Sequence, residues 1–76
     1  MNKERRKSLQ DIRDQLEELK DSLEGIQAEE EEYRDNMPEN MQAGEKYEKA
    51  EEAVGNIEEA AGSLEDAISS IEAAME

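Results

Sequence analysis

The sequence predicts an all-α fold in which two long helices fold back on each other as an antiparallel coiled-coil hairpin. Three observations predict it. Apolar residues recur at alternating steps of three and four through both halves of the chain, the a/d signature of a coiled coil. A lone proline, Pro38, interrupts that pattern near the middle. The residues flanking the apolar stripe are sorted by charge so that the two halves match when folded together.

The first helix is expected over about residues 3–35. From Leu9 at a, its stripe runs through Ile12, Leu16, Leu19, Leu23 and Ile26 to Tyr33 at d and Met37 at a, with Glu30 as the misfit. A connecting loop is expected over 36–44. Pro38 cannot continue a helix and disfavours helical backbone at Met37 before it. Pro38–Gln42 suits a short helical turn, with Asn36 as its cap. Gly44 suits the N-cap of the second helix, expected over about 45–75, and Glu45 suits its N-terminal dipole. The second stripe is Tyr47, Ala50, Val54, Ile57, Ala61, Leu64, Ile68, Ile71 and Met75. Each helix is roughly 45–50 Å long, and so short a connection forces antiparallel neighbours.

Within the second helix, Ala53-Val54-Gly55-Asn56-Ile57-Glu58-Glu59 is echoed by Ala60-Ala61-Gly62-Ser63-Leu64-Glu65-Asp66 and again by Ala67-Ile68-Ser69-Ser70-Ile71-Glu72-Ala73. A repeat of seven specifies a left-handed supercoil.

Folding the chain at the loop sets Leu9 against Ile71, Leu16 against Leu64, Leu23 against Ile57, and Tyr33 against Tyr47 as a layer closing the loop end. The d row of the first helix (Ile12, Leu19, Ile26) meets Ile68, Ala61 and Val54. Glu30 opposes Ala50 and is expected to snorkel or to bond a tyrosine hydroxyl. Along one flank, e faces e: the basic or neutral row of Arg13, Lys20, Gln27 and Arg34 meets a row made entirely of glutamate, Glu51, Glu58, Glu65 and Glu72. Each exposed pair contributes about 0–1 kcal/mol, but together they select orientation and register.

The other flank has a different chemistry. Its g rows are Ser8, Gln15, Ser22 and Glu29 on one helix and Ala53, Ala60, Ala67 and Ala74 on the other, with Asn56, Ser63 and Ser70 alongside. This small, nearly uncharged strip has two readings: helix-forming filler, or a face on which two hairpins dimerise into a four-helix bundle. Gly25, Gly55 and Gly62 each cost about 1 kcal/mol relative to alanine inside a helix. A lone hairpin so burdened is marginal, which favours the homodimer.

Composition sets the remaining bounds. The 76 residues make one small domain, and their 42% charged against 34% hydrophobic content borders on disorder, so the helical stripe is what makes a fold. Without cysteine, the expected setting is reducing and cytoplasmic. No membrane span is expected. Four cations against one acid give Met1–Lys7 a charge of +3, leaving −17 on the rest of a chain whose net is −14. An acidic body repels nucleic acid and anionic lipid, so the expected partners are a basic host protein or a second copy of the chain. Lacking His and Cys, the chain offers no nucleophile–base pair, and no enzymatic activity, metal or cofactor is expected. The Glu29–Glu32 run fans out around its helix and reads as a solvated face. Met37, Pro38, Asn40 and Met41 form a candidate partner-binding loop, although Met37 also continues the apolar stripe and suits a core cap.

The stretch Asn36-Met37-Pro38-Glu39-Asn40-Met41-Gln42, followed by Gly44-Glu45-Lys46-Tyr47-Glu48-Lys49-Ala50-Glu51-Glu52-Ala53-Val54, resembles a family of short acidic proteins encoded by phages and prophages of Gram-positive bacteria. The Asn-Met-Pro-Glu-Asn loop is its specific part. The resemblance implies a phage accessory protein working in the host cytoplasm. Two functions are expected to compete: inhibition of a host protein, as a DNA mimic or anti-defence protein, or assembly through homo-oligomerisation.

Overall fold

The computed structural model describes all residues from Met1 to Glu76 and is a two-helix hairpin without strands. Helix α1 spans Lys3–Asp35, a single 3-10 turn spans Glu39–Met41, and helix α2 spans Glu45–Met75. No helix is long and apolar enough to cross a membrane.

Local chemistry sets the ends. The Asn2 side chain accepts from the Arg5 N–H at 2.8 Å, satisfying one of the donors that a helix start leaves free. At the other end of α1, the Asn36 N–H donates to the Glu32 carbonyl at 2.9 Å. Asn36 therefore ends α1 and does not cap the following turn, which starts from Pro38 without a side-chain cap. The turn closes through Met41 N–H to the Pro38 carbonyl at 2.8 Å, and the Gly44 N–H donates to the Met41 carbonyl at 3.0 Å. A Cβ on Gly44 would lie 3.2 Å from that carbonyl oxygen, so the close approach favours glycine there. Gly44 is the N-cap of α2, whose first turn carries Glu45 and Glu48 against the positive end of the dipole.

The molecule is a rod of 60 × 14 × 12 Å with a radius of gyration of 17.4 Å. A compact chain of this length would have a radius near 11 Å. So little is enclosed that the buried set is Met37, Ala50, Val54, Ala61 and Ile68. Four of these belong to α2; α1 buries none.

Register follows from two ion pairs across the seam. Arg13 reaches Glu72 at 3.3 Å and Lys20 reaches Glu65 at 3.8 Å. Seven residues forward on α1 are answered by seven back on α2, as the charge rows predict. The rotation of α1 differs from expectation. Its half-buried residues are the a row (Leu9, Leu16, Leu23, Glu30), the e row (Arg13, Lys20, Gln27, Arg34), and Glu17 and Glu31 beside them. Its d row of Ile12, Leu19, Ile26 and Tyr33 is exposed, at 47–56%. The expected facing of these residues with Ile68, Ala61, Val54 and Tyr47 as a closed core is therefore corrected. Tyr33 does not close the loop end; the buried Met37 does. Long basic side chains lay their methylene stems along the seam and keep their heads in water. Small Ala61, which lines the same groove as Lys20, leaves room for that stem, and Glu65 and Glu72 attract the heads of Lys20 and Arg13. Turning the e row inward turns the d row out.

Candidate functional site

Because the e rows of both helices meet on one flank, the g rows share the other. The two flanks are the candidate surfaces, and they have opposite chemistry.

On the first flank, two cations of the α1 e row, Arg13 and Lys20, sit in a ladder. Glutamates one turn ahead on α1 form one rail, and the α2 e row forms the other. Arg13 lies between Glu17 at 3.7 Å and Glu72 at 3.3 Å. Lys20 lies between Glu24 at 3.5 Å and Glu65 at 3.8 Å. Its ammonium pKa is raised above the ordinary 10.5, first by Glu65 across the seam and then by Glu24, with desolvation opposing. The third rung breaks the pattern: Gln27 stands where a cation belongs. It donates to Glu31 at 3.1 Å, and neither Glu31 nor Glu58 has a cation within 4.0 Å. The fourth rung also departs from expectation. Arg34 pairs with its neighbour Asp35 at 3.0 Å and not with Glu51. That hydrogen bond is the first cause of the raised Arg34 pKa.

A shallow groove of about 410 Å³ opens at the broken rung, with Lys20, Glu24, Glu31, Glu58, Glu65 and Gly62 in its lining. Four carboxylates against one ammonium give it a charge of −3. They lie along two rails and do not converge into a metal-type cluster. The groove exists because Ala61 and Gly62 are small. Gly55 and Gly62 have open space where a Cβ would stand, so packing within the hairpin gives no reason for glycine at either. What the groove fits chemically is a lysine or arginine side chain from outside.

The second flank holds the exposed d row of α1 beside the α2 alanines. Ala60 and Ala74 are exposed, while Ala53 and Ala67 are half-buried toward the seam. The candidate loop is divided: Met37 is 8% exposed and caps the core, so it is withdrawn as a docking residue, whereas Met41 is 40% exposed. Pro38 and Asn40 are exposed beside it. The Met37 carbonyl also accepts from the Gln42 side chain at 3.3 Å, which anchors the loop. Glu30 is half-buried and forms no hydrogen bond to either tyrosine.

Sequence reasoning missed the apolar d row and the broken rung as surfaces. The second had a visible signal, since Gln27 is the neutral member of an otherwise basic row. No protein family, curated protein or solved structure matches this chain.

Proposed function

We propose that this is a non-enzymatic accessory protein of a phage infecting a Gram-positive host, and that it binds and blocks a basic host protein through its acidic flank. The observation that carries the reading is the broken rung. Glu31 and Glu58 stand uncompensated around Gln27, in a groove of the size and charge to accept a basic side chain. The phage setting rests on the resemblance of the loop from Asn36 to Gln42. Mimicry of DNA is consistent with the shape. A net charge of −14 along 60 Å is one per about 4.3 Å, and two rods side by side approach the roughly 1.7 Å of duplex DNA. The same charge opposes direct binding to nucleic acid.

Affinity capture from a Gram-positive lysate at low salt tests the reading, with wild type and Glu31→Lys/Glu58→Lys as paired baits. The wild type is expected to retain a nucleic-acid-binding or defence protein. The variant should lose roughly tenfold in affinity, since a few rim charges contribute about 0.2–1 kcal/mol each. Recovery of no such protein, or equal recovery by both baits, contradicts the proposal.

A further inference from the structure

We propose that the uncharged flank is the docking surface for a second copy of this chain, and that two hairpins pair across it as a four-helix bundle. The starting point is an anomaly of burial. In α1, the basic e row is half-buried while the apolar d row lies open. Ile12, Leu19, Ile26 and Tyr33 recur every seven residues, so they form one continuous ridge about 32 Å long. A ridge of this regularity is what one coiled-coil helix presents to another.

Charge decides the occupant. The flank comprises the d and g rows of α1 and the g and c rows of α2, and the only charged residues in its four heptads are Glu29 and Lys49. Its net charge is zero in a chain of net charge −14. A basic partner finds nothing there to pair with. An acidic partner gains nothing from it either. Two copies of a strongly acidic rod, however, can approach only across a surface free of that charge. The face is also self-complementary. The large d residues of one copy repeat at the same interval as Ala53, Ala60, Ala67 and Ala74 of the other, so ridge and trough stay in step.

Area is sufficient. The face is about 38 Å long and two helices, roughly 18–20 Å, wide, which gives on the order of 700 Å². A stable dimer of standard size buries roughly 600–1,000 Å² per partner, and this face falls within that range. This association is independent of the acidic flank, which it leaves open on both outer sides of the bundle.

The test is sedimentation equilibrium of the full chain over a concentration series up to about 1 mM. Twice the chain mass of 8.6 kDa is expected. Leu19→Glu and Ala60→Glu each place an unpaired carboxylate in the interface and should weaken association by roughly a hundredfold. Both positions are exposed in the hairpin, so circular dichroism should report a folded single chain. Ile12→Ser/Ile26→Ser provides an uncharged second variant that should weaken association in the same direction. A mass of 8.6 kDa at every concentration overturns the proposal. So does a dimer that survives all three variants, or a closed assembly larger than two chains.

Discussion

The two flanks of this rod border the same seam, one built from the e rows and the other from the g rows, and they differ in almost every physical respect. On one, e meets e, and cations are threaded between two glutamate rails, as at Arg13 and Lys20. On the other, g meets g, and alanines lie beside a ridge of Ile12, Leu19, Ile26 and Tyr33 that the hairpin leaves about half exposed. The first flank contributes to folding chiefly by specifying orientation, because its pairs are exposed and individually weak. The second contributes apolar area that the single chain leaves in water. Their contrast separates a charged surface that repels copies of this acidic chain from an uncharged one, on which we propose that they pair.

That separation can be broken most strongly on the uncharged side. Leu19→Glu or Ala60→Glu should weaken self-association by roughly a hundredfold, seen by sedimentation, while a lysine-rich peptide still binds the acidic flank unchanged. A loss of peptide binding in the same variants would mean that the flanks are not independent. On the acidic side, Gln27→Lys should complete the ladder between Glu31 and Glu58. Thermal unfolding should show stabilisation of up to about 1 kcal/mol, and a lysine-rich peptide should bind several-fold more weakly because its place is taken. If the variant is destabilised, the broken rung is not a cation vacancy. A smaller effect is expected at the glycines. Gly55→Ala and Gly62→Ala meet open space, so each should raise stability by about 0.5–1 kcal/mol in chemical denaturation. Gly62→Ala alone should also narrow the groove.

Much of this architecture was legible in the residues. The spacing of Leu9, Leu16 and Leu23 and of Val54, Ala61 and Ile68 announces two helices, and Pro38 announces the reversal. The basic row against the glutamate row announces register, and Arg13 with Glu72 and Lys20 with Glu65 realise it. The rotation of α1 was not legible. Residues three apart and four apart both neighbour an a position on a helix, so pattern alone leaves d and e as rivals for the seam. Hydrophobicity favours d; Arg13 and Lys20, drawn toward the seam by Glu72 and Glu65, favour e. Arg34, expected to face the glutamate row of α2, pairs instead with Asp35, which is adjacent in the chain and needs no reach across the seam. The role of Met37 was open on pattern alone, and burial decides it as part of the core.

Salt tests the account most directly, because the two flanks must respond to it with opposite signs. Self-association sets two chains of net charge −14 against each other, so screening should strengthen it. Binding of a lysine-rich peptide relies on attraction, so screening should weaken it. The decisive measurement is a paired titration of the wild-type chain at about 50 mM and 300 mM NaCl, following dimer mass by sedimentation and peptide binding by fluorescence anisotropy. The account predicts a tighter dimer and a looser peptide complex at the higher salt. A monomer at both salts, or two affinities that fall together, would contradict it.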